Sequence, residues 1–314
     1  MRILVTGSSG FVGKYLIESL EEGGQHEVAG MSRRTHGLDV RDYEDCRKAV
    51  ERAQPDIVFH LAAQAYVPET TTDPQRGYAV NLGGTLNILE AVRHTGCRAR
   101  VLVTGTSEEY GYETQAGDLI DEDSPTIPTS LYGASKLAAS QLALAYGRTH
   151  GIEVVVTRAW NHTGPGQPAM YAIPSFARKV ANAELGYTSV ISHGNLDAYR
   201  CYLDVRDVVS AYIRAAALGR PGQVYNVGVG QVWPMRHYLE QLLELSTIDR
   251  SRVELIPDPT LYRPGMTTGG RDFPIPDSRK LATDTGWAPE HTLQDTLSEV
   301  LAHWRHRLTF TESE

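Results

Sequence analysis

Tyr132 and Lys136 stand four residues apart in Y-G-A-S-K, a spacing that puts both side chains on one face of a helix. An ammonium in that position lowers the pKa of the phenol and reaches a neighbouring cofactor ribose. The tyrosine then serves as general base near neutral pH, removing a hydroxyl proton as hydride leaves the same carbon. Such a pair needs a hydride carrier beside it, and the start of the chain offers a seat for one. There T-G-S-S-G-F-V-G sets Gly7, Gly10 and Gly13 between a strand and a helix. Glycines at those points allow a tight turn, a backbone that approaches a pyrophosphate, and a close helix–strand crossing, with helix N–H groups aimed at the anion. The combination reads as a dinucleotide loop.

After the second strand, where the adenosine ribose of such a cofactor lies, an NAD site usually presents Asp or Glu to the 2′-hydroxyl. This chain has Ser32, Arg33 and Arg34 there. Two planar guanidinium groups beside a hydroxyl suit a 2′-phosphate, which points to NADP. Asp39 and Val40 precede the next helix, where they either receive the adenine or, in the case of Asp39, open the helix.

The elements that must position these residues alternate strand and helix from the first residue. RILVTG is followed by a helix over Tyr15 to Glu22, the strand HEVAGMS, a helix over Tyr43 to Gln54 and the strand DIVFHLAA. A helix over Thr85 to Thr95, the strand RVLVTGTS, a helix over Tyr132 to Gly147 and the strand IEVVVTRAW complete the pattern. Continuous apolar strands separated by helices predict an α/β fold, a doubly wound parallel (Rossmann) sheet covered on both faces. Beyond NHTGPGQP the chain is richer in Pro and Gly, with helices expected near Ala172 to Leu185, Arg206 to Leu218, Met235 to Leu245 and Leu293 to Arg307. YLDVRDVV and QVYNVGV are expected to return to the first sheet. The domain reading is a cofactor domain over 1–165 plus returning segments at about 200–228. The remaining segments of 166–314 form a smaller, partly interleaved C-terminal substrate domain.

Composition narrows the function. The chain of 314 residues has 30 Lys plus Arg against 38 Asp plus Glu, a net charge of −8, with no run of basic residues longer than two. That argues against a nucleic-acid partner. Cys46, Cys97 and Cys201 are scattered without ligand spacing, so neither a metal site nor a disulfide framework is expected, and a reducing, cytoplasmic setting fits. MRILVTG already reads as a strand rather than a leader, and no stretch approaches 18 apolar residues, so no membrane association is expected. His60, His162 and Cys201 have no arrangement that suggests chemistry and read as packing or surface residues.

With TGSSGFVG, the HLAAQ strand end, VNLGGT and YGASK in this order and spacing, the chain resembles the extended short-chain dehydrogenases/reductases over nearly its whole length. RAWNHTGPGQ and GNLDAYRCYLDVRDVV resemble the nucleotide-sugar branch. GMSRRT, T-S-E-E-Y-G and GNLDAYR are most similar to GDP-mannose 4,6-dehydratases and the related GDP-4-keto-6-deoxymannose reductases. The resemblance implies that Ser9, Phe11 and Val12 in the loop and Leu61, Ala62 and Ala63 at the strand end line the cofactor. It implies that Thr106 binds the sugar O4, with Tyr132 as base and Lys136 on the ribose. Glu108 stands where the dehydratases carry a Glu that takes the C5 proton while water leaves C6 and hydride returns there. Its neighbour Glu109 reads as an ordinary solvated or helix-start acid. Asn161, Arg200 and Arg263 match residues that hold the nucleotide diphosphate or sugar. Met266 departs from the family, which has Glu there, and TTGGRDFPIPDSRK is longer than the usual segment.

The leading expectation is therefore an NADP-dependent dehydratase acting on GDP-mannose, with cofactor regenerated in each turnover. The alternatives are a 4-keto reductase that consumes NADPH, an epimerase, which has no need of Glu108, and a cofactor-sensing protein without chemistry. The resemblance also implies a homodimer or homotetramer, with Leu137, Leu142, Leu144 and Tyr146 as either an interface stripe or core.

Overall fold

The computed structural model describes residues 1–111, 119–262 and 275–310. Six parallel strands form its central sheet: β1 (Arg2–Thr6), β2 (Glu27–Met31), β3 (Ile57–His60), β4 (Arg100–Thr106), β5 (Val154–Ala159) and β6 (Val224–Val227). Their spatial order is β6-β5-β4-β3-β1-β2. The longer helices are α1 (Phe11–Glu21), α2 (Tyr43–Ala53), α3 (Gly84–Thr95), α4 (Leu131–His150), α5 (Ala172–Glu184), α6 (Val205–Leu218), α7 (Met235–Glu244), α8 (Arg279–Thr285) and α9 (Leu293–Phe310).

The sheet explains the apolar strand runs, because helices cover both of its faces. On one face Leu16 and Leu20 of α1 and Val208, Tyr212 and Ala215 of α6 meet Ile3, Val5, Phe59 and Leu102. On the other, Val50 of α2, Ile88, Leu89 and Val92 of α3 and Ala143 of α4 meet Leu4, Val58, Val101 and Val103. A separate core in the C-terminal half joins Ile173, Phe176 and Val180 of α5 to Tyr238, Leu239 and Leu242 of α7 and Val300 and Trp304 of α9. From β1 the chain winds outward to β2 and then returns to β3 on the other side. The carboxyl ends of β1 and β3 therefore flank the point where strand order reverses, the place where open α/β sheets bind ligands.

The structure corrects the expected layout in two places. The first helix begins at Phe11 rather than Tyr15, because Gly13 belongs to its first turn and Gly10 is its N-cap. QVYNVGV joins the central sheet as β6, but YLDVRDVV does not. Tyr202–Asp204 pairs in parallel with Asn161–Thr163 off the main sheet, and Asp204 caps α6 by accepting the Arg206 N–H at 2.8 Å. In the α4 stripe, Leu144 is 7% exposed within the core and Leu142 packs on the same cluster. Tyr146 donates its hydroxyl to Glu90 at 2.9 Å. No helix of the described residues is long and apolar enough to cross a membrane.

Candidate active site

The glycine loop closes the carboxyl end of β1 over that of β3. Gly7 has a φ of +71°, and a Cβ there would lie 2.8 Å from the Ala62 nitrogen; a Cβ at Gly13 would lie 2.3 Å from the Gly7 carbonyl oxygen. Both glycines are thus required by the crossing itself. Gly10 is different: it is exposed, and a Cβ there would meet only the Gly7 oxygen at 3.0 Å. Gly10 caps α1 with no side chain on the first amides, and the buried Ser8 hydroxyl beside it has no partner among the described residues. Ser9, Phe11 and Val12 are half-buried along this mouth, as are Leu61, Ala62 and Ala63 at the end of β3. The Ala62 N–H is tied to the Thr6 hydroxyl at 3.2 Å.

Beyond β2, Arg33 and Arg34 are exposed at the head of the short turn Arg33–His36. Ser32 caps that turn, its hydroxyl 3.2 Å from the Thr35 N–H and 2.6 Å from the Thr35 hydroxyl. Asp39 is not the helix opener. Asp42 caps α2, accepting the Asp45 N–H at 3.1 Å, while Asp39 binds Arg41 through Nε and Nη2. Its hydrogen bonds from Arg41 hold the Asp39 carboxyl below the usual carboxylate range, against the opposing effect of burial. Val40 packs into the core, leaving its main chain beside the turn. An amide-lined mouth with a glycine rim and two exposed arginines near one end fit a phosphorylated dinucleotide.

Thr106 ends β4, and the next residues form the turn Ser107–Glu109. The Thr106 hydroxyl accepts the Glu108 N–H at 3.3 Å. Across from it, Ser130 caps α4: its oxygen accepts the Gly133 N–H at 2.9 Å, and its hydroxyl donates to Glu108 Oε2 at 2.5 Å. Tyr132 follows in the first turn, half-buried and within the field of the Glu108 carboxylate. Burial and then the Glu108 charge push the phenol above its ordinary pKa, with Thr106 acting in the opposite sense. Burial and Glu108 thus oppose the lowering expected from Lys136. Lys136 is 3% exposed and makes no hydrogen bond or ion pair with any described residue. Burial lowers its pKa to about 8, and the Glu109 charge pulls the other way. A buried ammonium without a hydrogen-bond partner among the described residues, one helical turn from the phenol, leaves room for a polar group of a bound ligand.

Glu109 is a helix-start acid, closing a capping box on the Thr106 N–H, but it is fully buried rather than solvated. Its carboxylate pairs with Arg158 Nε at 2.7 Å and accepts the Ser140 hydroxyl at 2.9 Å and the Thr106 N–H at 3.1 Å. The reasoning from sequence also overlooked Ser130 and Asn81. Asn81 is buried, accepts the Gln64 N–H at 2.8 Å and donates to the Ser135 hydroxyl at 2.9 Å, tying the segment after β3 to α4. An Asn inside the otherwise apolar VNLGG segment was the available signal.

His60 is enclosed between the hydroxyls of Thr6 at 2.9 Å and Thr85 at 3.1 Å, and burial, then the Lys136 charge, lowers its pKa to about 3. His162 stacks on Phe11 with 6.5 Å between ring centroids, and Cys201 is buried against the Val229 carbonyl. Asn161 is half-buried just past β5, within the strand that pairs with Tyr202–Asp204. Arg200 is half-buried in a two-stranded ribbon opposite Trp233. Arg263 and Met266, with most of the long segment after them, lie outside the described residues.

With this geometry in place, comparison with known proteins gives a consistent result. The model of the NAD dependent epimerase/dehydratase family matches residues 3–228. The chain is 36% identical over 308 residues to the GDP-6-deoxy-D-mannose reductase of Pseudomonas aeruginosa, covering 98% of each. It is 30% identical over 336 residues to the dTDP-glucose 4,6-dehydratase of Streptomyces niveus, covering 99% of this chain and 95% of the other. The solved structure of RMD from Pseudomonas aeruginosa complexed with NADPH superposes with a TM-score of 0.87 at 34% identity, covering 98% of this chain and all of that one.

Proposed function

The chain belongs to the NAD dependent epimerase/dehydratase family, whose members here modify nucleotide sugars, and we propose that it reduces the 4-keto group of a GDP-linked 6-deoxyhexose at the expense of NADPH. The observation that carries this reading is the Tyr132 phenol. It stands in the first turn of α4, one helical turn from the buried Lys136 and near Thr106 at the end of β4, so a protonated phenol there can donate to a ketone oxygen. The full-length likeness to a reductase supports the same direction and outweighs the dehydratase expected from Glu108.

In this reading the Gly7–Gly13 loop would hold NADPH, with Arg33 and Arg34 on its 2′-phosphate, and the bound cofactor would supply the hydride for the carbonyl carbon. Thr106 and Tyr132 hold the ketone oxygen between two hydroxyls, and the phenol passes its proton to that oxygen as the alcohol forms. Lys136 stabilises the phenolate left behind and donates to the ribose hydroxyls. Asn161, Arg200 and Arg263 hold the diphosphate, since arginine matches its oxygens with a fork of donors.

Glu108 favours a second reading. A carboxylate beside Tyr132 suits removal of the C5 proton once C4 is a ketone, the step a 4,6-dehydratase requires. The test is stoichiometry. The purified protein should oxidise one NADPH per GDP-4-keto-6-deoxymannose and leave GDP-mannose alone unchanged. Loss of water from GDP-mannose without added reductant would establish the second reading, and inertness toward both sugars would defeat both.

A further inference from the structure

The fully buried acid behind the catalytic turn has no place in the mechanism so far. Its surroundings are built around it. Gly105 leaves the space it needs, because a Cβ there would lie 2.4 Å from Glu109 Oε1 and 3.2 Å from the Ser140 oxygen. One carboxylate oxygen, Oε1, takes both the Thr106 N–H and the Ser140 hydroxyl, and the other, Oε2, takes Arg158. Arg158 is itself 2% exposed and is held over the Tyr110 ring, with its guanidinium carbon 4.7 Å from the centroid. Tyr110 in turn donates to Asn226 of β6 at 2.7 Å. Ser140 is one helical turn beyond Lys136 on α4, so the carboxylate sits along the helix face that carries the ammonium.

We propose that Glu109 is a positioning residue for the reaction: braced by Arg158 and Ser140, its carboxylate fixes the main chain of Thr106 and serves as the buried counter-charge of Lys136. The inference rests on the reading of Thr106, Tyr132 and Lys136 as the reacting site. Two strands and a helix converge on one carboxylate, so a displacement of Glu109 moves the Thr106 hydroxyl and α4 relative to each other. A shift of that kind far from the substrate lowers turnover without changing what binds.

The charge acts separately. Burial alone drives a lysine toward its neutral form, and a nearby carboxylate opposes this. Glu109, from the turn after β4, acts on its charge, and His60 of β3 is kept neutral by its low pKa, while Glu108, Arg158 of β5 and Tyr132 of α4 stand on the neighbouring elements. The segments packed on the other side of α4 carry Glu69, Asp73 and Arg76, all exposed, the half-buried Tyr78, and Glu90, which is bound to Arg93 and Tyr146.

The discriminating variant is E109Q/R158M. It keeps an amide oxygen for Thr106 and Ser140, removes both charges together, and so leaves no unpaired ion in the core. The expected result is a cooperative melt near that of the parent, with the alkaline limb of kcat and of NADPH binding moved down by about one pH unit. Limbs that coincide with the parent's would overturn the proposal. Should the double variant fail to melt cooperatively, E109D decides the matter, because the shorter acid keeps the charge but loses its reach. Turnover is then expected to fall about tenfold with an unchanged substrate KM and unmoved limbs, and parental turnover would refute the positioning role. Y132F separates the two ideas. If it stays fully active, the reaction reading fails, whereas the pH dependence of NADPH binding by E109Q/R158M still tests Glu109 without any turnover.

Discussion

A Cβ at Gly133 would lie 2.5 Å from the carbonyl oxygen of Glu108, so the first turn of α4 is pressed directly onto the turn that ends β4. This contact sets the distance between Tyr132 and Thr106, and it gives the glycine of Y-G-A-S-K a packing role rather than a conformational one. Gly133→Ala must push the two turns apart. Overpacking of this kind costs about 1–3 kcal/mol, and the separation falls on the reacting groups. The expected outcome is a lowered melting temperature together with a kcat loss on the order of tenfold or more, read by thermal unfolding and steady-state kinetics on the same sample. A variant that loses stability but keeps parental kcat would show that the contact does not set the site.

Tyr132→Phe and Glu108→Gln divide the two chemical readings. Removing the phenol takes away the proton donor and should cost about 10²–10⁴ in kcat. Glu108 influences that phenol second to burial, and Glu108→Gln should slow ketone reduction by no more than about tenfold while abolishing any release of water. A loss with Glu108→Gln as large as that with Tyr132→Phe would move the reaction toward elimination.

The candidate site residues that the sequence offers share one property: the signal for each is local spacing. Gly7, Gly10 and Gly13 follow a strand at fixed offsets, and Tyr132 and Lys136 are one helical turn apart. The apolar strands announce a covered parallel sheet for the same reason. Glu108 and Glu109 could not be told apart in this way. Adjacent acids after a strand look alike, and which one turns inward depends on Arg158, forty-nine residues later, and on the cavity left by Gly105. Asp39 and Asp42 posed the same difficulty, since either can open a helix and only the path of the turn after β2 decides. Tyr202–Asp204 has the composition of a central strand, but its partner is the short segment Asn161–Thr163, a pairing no periodicity reveals.

Arg33 and Arg34 are exposed, so their substitution tests cofactor choice without disturbing the core. Hydrogen bonds to a charged group contribute about 1.5–3 kcal/mol each, which makes the double change R33A/R34A worth at least tenfold in KM for NADPH. The KM for NADH should scarcely move, because that cofactor has no 2′-phosphate to lose. Equal changes for the two cofactors would mean that the arginines are solvated turn residues.

His60 makes a prediction about stability against pH. In the folded chain its pKa is lowered to about 3, chiefly by burial, while an unfolded histidine titrates near 6.5. Between those values the unfolded chain holds a proton that the folded one does not. Unfolding is therefore favoured as pH falls through the window, by about 1.4 kcal/mol per pH unit for this one group. Above the unfolded value the effect is absent. His60→Gln retains an amide for Thr6 and Thr85 but has no proton to take up, so its loss of stability between neutral pH and about pH 4 should be shallower by one proton. Urea denaturation midpoints across that range provide the measurement. Parallel curves for parent and variant would show that His60 is not held neutral in the folded state.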